Sequence, residues 1–401
     1  MPMRPASDRG HVGREAPPRS PHRAGPGRGR GSAGGQDRVR DLEAAAFTIP
    51  TDRPEADGTL SWEATTLVLV EVESEAGVRG LGFTYCAPAA VGVIRETLKA
   101  AVVGRRLEEH TASWVAMVAA VRNMGRPGIA ACAISAVDVA LWDLRARAEG
   151  RPLFELLGPG RRAVPIYGSG GFTSYDEREL AEQLGGWVER GIGRVKMKIG
   201  VDRGSRPDLD LRRARIARRA IGPEAQLFVD ANGAYTATQA VALAARLQDE
   251  AGIVYFEEPV SSDHREQLAF VRGRTSVDVA AGEYGYDPWY FRDLLRAEAV
   301  DVLQADASRC LGITGWLQAA DLAHAFGVPF SAHTAPSLHV HAACAAKQIS
   351  HLEYFHTHVR IERMVFEGAV EPRGGELAPD PGRPGLGLEP KRADLEAYRV
   401  A

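Results

Sequence analysis

The stretch Arg194-Val195-Lys196-Met197-Lys198-Ile199-Gly200 carries the residue types best suited to chemistry. Extended backbone there puts Val195, Met197 and Ile199 on one face and Lys196 and Lys198 on the other. Two ammonium groups sharing a buried face repel each other and lose hydration, so at least one should have a lowered pKa. Such a lysine can release and recover a proton near neutral pH. Of 49 Lys and Arg residues only five are Lys, and two of the five are here. Arginine stays protonated in proteins, so a Lys pair in an Arg-biased chain points to proton transfer. A solvated edge strand would show the same pattern; the rest of the chain argues against it.

Acidic residues recur at the ends of the apolar runs that follow. Asp230 closes Leu227–Asp230, Glu257 closes Ile253–Glu257, and Glu283 comes directly after Val277–Gly282. Three carboxylates that converged without a cation would repel and protonate. With a hard divalent cation they form an oxygen-ligand site, in which Mg²⁺ keeps its remaining positions for water and substrate. Asp306 follows Val300–Ala305 and His333 follows Val328–Ala332. A carboxylate bonded to one imidazole nitrogen fixes the tautomer and raises the basicity of the other, giving a second acid/base group. Spacing alone does not single out His333, because His339, His341, His351, His356 and His358 lie close by. Asn232 and Glu258 read equally well as supporting polar groups or as strand-end caps.

These residues need a scaffold that brings strand ends together. From Val164 to about Glu362, short apolar runs alternate with longer amphipathic segments, the pattern of parallel βα units. Eight runs are expected as strands: the five already named, together with Val164–Gly168, Arg194–Ile199 and His351–Tyr354, which holds Glu353. Eight such units fit a closed barrel, whose C-terminal strand ends converge on one mouth. Ahead of it, residues 41–160 read as a smaller α+β capping domain. Leu67–Val72 and Val78–Thr84 should pair across a Glu75-Ala76-Gly77 turn, and helices are expected over Ala89–Leu98, Thr111–Val121 and Ala130–Arg147. Residues 161–362 are assigned to the barrel and 363–401 to a segment that packs back on the cap.

Residues 1–40 are rich in Arg, Pro and Gly and poor in large apolar side chains. They are expected to be disordered, as a flexible appendage or an over-long gene start. The whole chain has 401 residues, 45% of them hydrophobic, and a net charge of −3. That balance indicates neither a nucleic-acid nor a membrane partner. No stretch is apolar enough to span a bilayer. Its four cysteines lie far apart with no CxxC pair, which fits a reducing cytoplasm rather than a disulfide framework.

Together these residues resemble the enolase superfamily and, within it, the mandelate racemase-like subgroup. The likeness covers about residues 45 to 400, with Ile134–Leu144 similar to the family's helix leading into the barrel. It implies a modified TIM barrel, (β/α)7β, with an N-terminal α+β capping domain. The family's KxK motif falls on Lys196-Met197-Lys198, its metal ligands on Asp230, Glu257 and Glu283, and its His–Asp dyad on His333 and Asp306. The subgroup's strand-eight Glu, which donates a hydrogen bond to the developing enediolate, falls on Glu353. One Mg²⁺ per active site, a small-molecule carboxylate substrate and a homo-oligomer are implied in the same way. So is the chemistry: Lys198 or His333 removes the α-proton, and Lys196 neutralises the substrate carboxylate. Dehydration of a sugar acid is the first expectation and racemisation or epimerisation of a 2-hydroxy acid the second. A muconate-type cycloisomerase or dipeptide epimerase fits less well, because those relatives use a strand-six Lys where this chain has Asp306-Ala307-Ser308-Arg309. A non-catalytic binding protein would have lost a ligand or an acid/base group, and none is missing. Specificity is expected from cap loops around Phe47–Trp62 and Tyr85–Ala90, with Tyr167, Ser169 and Arg309 as candidate contacts to substrate hydroxyls.

Overall fold

The computed structural model of the protein describes residues 37–401. The expected disordered tail therefore lies outside the described residues, except at its last few positions. There the expectation fails: strand β1 (Val39–Ala56) starts at Val39, which is buried and donates its N–H to the Arg105 carbonyl at 2.9 Å.

Three antiparallel strands open the chain, β1, β2 (Ser61–Ser74) and β3 (Arg79–Tyr85), in the order β1-β2-β3. The expected turn joins β2 to β3, with Gly77 in the left-handed region that an L side chain avoids. One face of this sheet packs on the helix Ile129–Ala148. The approach is close: a Cβ on Gly82 would lie 2.1 Å from the Ala136 carbonyl oxygen, and one on Gly80 would lie 2.4 Å from that of Ala140. Gly82→Ala should therefore force strand and helix apart and destabilise the protein by about 1–3 kcal/mol, the usual range for overpacking. Urea denaturation reads this directly, and an unchanged midpoint would show that the cap yields at no cost.

Eight parallel strands follow: β4 (Val164–Gly170), β5 (Arg194–Lys198), β6 (Gln226–Asp230), β7 (Ile253–Glu257), β8 (Asp278–Ala281), β9 (Val302–Ala305), β10 (Phe330–Ala332) and β11 (His351–Phe355). Each pairs with the next, and β11 pairs with β4, so the barrel closes without an edge. All eight lie where the apolar runs predicted them, within a few residues. Helices between them begin at recognisable caps, such as the Thr236–Gln239 capping box ahead of Ala237–Ala251.

The period of two along each strand builds the interior in layers. Tyr167, Phe228, Tyr255, Ala280 and Val302 form an apolar plug, in which Phe228 and Tyr255 stack at 4.5 Å between ring centroids. Two residues further along each strand, the same inward face presents Ser169, Asp230 and Glu257. Polar chemistry thus begins one layer above an aromatic floor.

The last segment, from residue 366, touches both parts of the chain. Glu376–Leu377 pairs with the start of β4. The C-terminus reaches β1, where Val400 donates to the Ala46 carbonyl at 2.8 Å and Thr48 donates to that of Tyr398 at 2.8 Å. Among the described residues no helix is long and apolar enough to cross a membrane.

Candidate active site

The barrel mouth collects every residue that the strand-end pattern singled out. Lys196 is fully buried, and its Nζ lies 2.7 Å from Glu257, 2.8 Å from Glu353 and 3.4 Å from Asp230. Lys198 Nζ donates to Asp230 Oδ2 at 2.5 Å and to Asn232 Oδ1 at 3.0 Å. Lys196 therefore lies deep in the barrel, and Lys198 lines the open cavity.

The expected lowering of a lysine pKa is not what the structure gives. Burial pushes both ammoniums down, but Glu257 and Glu353 beside Lys196, and Asp230 beside Lys198, outweigh it. Both lie above the ordinary lysine value. Their mutual repulsion, which the sequence made conspicuous, is smaller than their attraction to carboxylates on strands 32 and 61 residues away in the chain.

Asp230, Glu257 and Glu283 each offer an oxygen, and these oxygens lie within 4.8 Å of one another. Glu257 Oε1 and Glu283 Oε2 are buried without a hydrogen-bond partner. Orphaned buried carboxylate oxygens are rare unless something else satisfies them. A hard divalent cation does so, and an all-oxygen donor set suits Mg²⁺. Burial, only partly offset by Lys196 and reinforced by the neighbouring Asp230, Glu353 and Glu283, raises Glu257 well above the ordinary carboxyl value.

His333 Nδ1 lies 2.8 Å from Asp306 Oδ2. Burial would raise Asp306, but the hydrogen bond and charge of His333, with the Arg309 guanidinium, hold its carboxyl well below the usual range. The other imidazole nitrogen, Nε2, lies 3.4 Å from Glu283 and 3.8 Å from Glu353. It faces the carboxylate cluster, as a group moving protons there must.

Glu353 is held as an acceptor. Ser169 Oγ donates to it at 2.6 Å and the Thr334 N–H at 2.9 Å, with Lys196 alongside. Burial pushes Glu353 up, but Lys196 and then His333 bring it well below the ordinary value. Every neighbour within hydrogen-bond reach of Glu353 here is thus a donor, and the hydrogen-bond-donating role implied by resemblance requires the carboxyl to take up a proton.

Several contacts lay beyond sequence reading. Asn232, Glu258, Thr334 and Ala335 all have left-handed backbone, with φ of +44°, +39°, +49° and +39°. Such strain in non-glycine residues concentrates at functional sites, and nothing in residue type announces it. Tyr167 and Ser169 do not reach substrate space: Tyr167 belongs to the plug, and Ser169 is committed to Glu353. Arg309 does line the cavity, about 370 Å³ in volume, together with Lys198, Glu283 and His333. Glu258 faces a neighbouring cavity with Asn232 and Tyr284.

The cap contributes the outer wall. Of the stretch expected around Phe47 to Trp62, most is strand, and Phe47 packs under Arg399 instead. Only Asp57 and Trp62 line the cavity from it, whereas Tyr85, Cys86 and Ala87 line it from the second expected loop. Opposite them is His358, stacked on Tyr85 at 3.5 Å between centroids. Burial lowers His358 to about 3, so it is a neutral imidazole. The other four neighbours of His333 in sequence are engaged elsewhere: His351 bonds Ser331 in the barrel interior, His341 the Leu386 carbonyl, His339 accepts from the Ala307 N–H, and His356 pairs with Asp52.

A closed parallel barrel with a carboxylate cluster, two lysines and a His–Asp pair at its C-terminal mouth, under an antiparallel cap, has the layout of a barrel enzyme whose active site lies at that mouth. Comparison with known families agrees. Residues 179–394 match the model described as enolase C-terminal domain-like, and residues 44–158 match the N-terminal domain of mandelate racemase/muconate lactonizing enzyme. The chain belongs to the mandelate racemase/muconate lactonizing enzyme family of the enolase superfamily. It is 30% identical to the arabinonate dehydratase of Saccharolobus solfataricus over 83% of this chain and 90% of that one. A solved mandelate racemase/muconate lactonizing enzyme-like protein from Rubrobacter xylanophilus is 50% identical, with a TM-score of 0.87 over 90% of this chain and all of that one. The L-talarate/galactarate dehydratase of Salmonella typhimurium LT2, solved with Mg and L-lyxarohydroxamate, is 27% identical. Its TM-score is 0.83 over 94% of this chain and 97% of that one. With an L-Ala-D/L-Glu epimerase of Clostridium acetobutylicum also among its relatives, 24% identical over 88% of this chain and 98% of that one, the protein is an enzyme of the lyase or isomerase classes.

Proposed function

We propose that this enzyme dehydrates a sugar acid to a 2-keto-3-deoxy acid, with Mg²⁺ held by Asp230, Glu257 and Glu283. The carrying observation is the His333–Asp306 pair, whose free imidazole nitrogen faces the three-carboxylate cluster in the cavity that Lys198 lines. When bound, Mg²⁺ supplies positive charge against the negative charge that develops on the substrate carboxylate.

The remaining steps belong to the chain's own residues. Lys196 balances the substrate carboxylate from below. His333, or Lys198 once it has given up the proton that Asp230 holds on it, takes the C2 proton, leaving the electron pair in an enediolate. His333 then gives a proton to the C3 hydroxyl, the C–O bond breaks, and water leaves with both electrons of that bond. The resulting enol gains a proton at C3 and becomes the 2-keto acid. Asp306 holds the His333 ring and its tautomer throughout. Racemisation of a 2-hydroxy acid would use the same two bases and stop before loss of hydroxyl.

Incubating mono- and diacid sugars with Mg²⁺ in D₂O tests the reading. A 2-keto product with deuterium at C3 is expected. Deuterium at C2 with no loss of water would replace dehydration by racemase or epimerase chemistry.

A further inference from the structure

Glu55 is an unusual residue to find fully buried at the end of a surface strand. Both its oxygens are engaged. Oε2 accepts from Trp62 Nε1 at 2.8 Å, and Thr357 Oγ1, whose single hydroxyl proton the two oxygens share, lies 2.7 Å from Oε1 and 2.6 Å from Oε2. Trp62 is in the cap and lines the cavity. Thr357 is in the first turn of the barrel helix His356–Val365, directly after β11. A single carboxylate therefore joins a cavity-wall tryptophan to the barrel.

The surrounding contacts bind the same strand end. Thr173 donates its N–H to the Ala56 carbonyl and its hydroxyl to that of Asp57, at 2.8 and 2.6 Å. Ser174 reaches the Pro54 carbonyl at 2.9 Å. Trp62 meets Phe172 edge-on at 5.7 Å, and Phe172 meets Phe355, another cavity-lining ring, at 5.7 Å. Asp52, Glu55 and His356 also present ligand-type atoms within 4.8 Å of one another. Donors already occupy both Glu55 oxygens, however, which makes the group a hydrogen-bond hub.

We infer that Glu55 is a positioning residue, which ties Trp62 to Thr357 and so fixes one wall of the substrate cavity. The inference rests on the reading of that cavity as the site of the substrate acid. Hydrogen bonds to a buried carboxylate are directional, so they set the indole's angle as well as its depth. Thr173 and Ser174 hold the backbone of the strand end, but only Glu55 reaches the indole N–H.

A pH signature accompanies the geometry. Burial raises Glu55 to about 7, against lowering by Thr357 and Trp62. Around it stand Asp52, which raises it further, and Arg360, which lowers it, with Arg53, Tyr175 and His356 also close to Asp52. A raised carboxyl favours the tied arrangement at low pH. Because burial outweighs the two hydrogen bonds, the buried arrangement loses stability as pH climbs from the ordinary value of 4.5 through about 7, even though each bond is itself stronger to the ionised carboxylate.

The test separates this inference from the assignment of activity. Trp62 fluorescence, taken as the difference between the enzyme and Trp62→Phe, should titrate with a midpoint near 7. The titration should vanish in Glu55→Gln, whose amide still bonds both partners. No substrate is involved: Trp62 emission in Glu55→Ala that matches the wild type overturns the tie whatever the enzyme acts on, whereas a flat wild-type profile removes only the pH signature. With an accepted acid, Glu55→Ala and Thr357→Val should raise KM about tenfold, as expected for a lost buried hydrogen bond, with little change in kcat. Glu55→Gln should restore KM. Should Glu55→Ala not fold, Thr357→Val carries the same comparison. An unaltered KM in Thr357→Val overturns the positioning role.

Discussion

Lys198→Ala and His333→Asn are each expected to reduce turnover at least about a thousandfold, toward the upper range for removal of a general acid or base. Both residues line the cavity, and neither belongs to the plug that holds the barrel together. Loss of the Lys198 ammonium leaves Asp230 with Lys196 still 3.4 Å away. In His333→Asn a polar side chain still faces Asp306. Circular dichroism should therefore be unchanged in both. The two variants differ in a second readout. Whichever residue takes the α-proton, its loss should stop deuterium exchange at C2 as well as product formation. Loss of the group that protonates the departing hydroxyl should leave exchange running without dehydration. Full turnover in both variants would remove the acid/base assignment altogether.

Removing a metal-binding carboxylate should have an effect of similar size on a different observable. Glu257→Gln is expected to weaken Mg²⁺ binding at least about 100-fold, since even outer residues of metal sites change affinity by 10–100-fold. Glu257 has one oxygen on Lys196 and the other buried with no partner. The amide can still accept from Lys196, so the scaffold contact survives while the site loses a charge. Isothermal titration with Mg²⁺ measures this without any substrate. Unchanged affinity would take Glu257 out of the metal site. A chelator should abolish activity in the native enzyme, and added Mg²⁺ should restore it.

How far a chain can be read depends on whether a feature is local. The eight barrel strands were legible because a buried parallel strand is a short apolar run bounded by polar punctuation. The residues at their ends followed, since a closed barrel converges its C-terminal ends whatever the helices between them do. For this reason Lys198, Asp230, Glu257, Glu283, Asp306 and His333 could be picked out together. Strand β1 was not legible in the same way. Its run Val39–Ala56 mixes Arg, Asp and Pro with apolar residues: the middle is buried on both faces, Ala44 and Ala46 against one core and Phe47 and Ile49 against another, while the stretch 50–54 is mostly exposed.

Charge balance was decided in three dimensions. Adjacent lysines suggest repulsion when the sequence is all that is seen. In the folded chain Lys196 meets Glu257 and Glu353, and Lys198 meets Asp230, so the nearest opposite charges set the sign. Glu353, placed by resemblance as a donor, meets Ser169, the Thr334 N–H and Lys196 only through the fold. Glu55 carries no motif at all. Its role exists only because Trp62 and Thr357, seven residues away in one case and 302 in the other, end at its two oxygens. The sequence by itself determined which residue types reach the barrel mouth, since period and strand order are properties of the chain. Only the tertiary structure decided which charges are neighbours and which cap residues close the cavity, since those depend on distances between segments that no local pattern encodes.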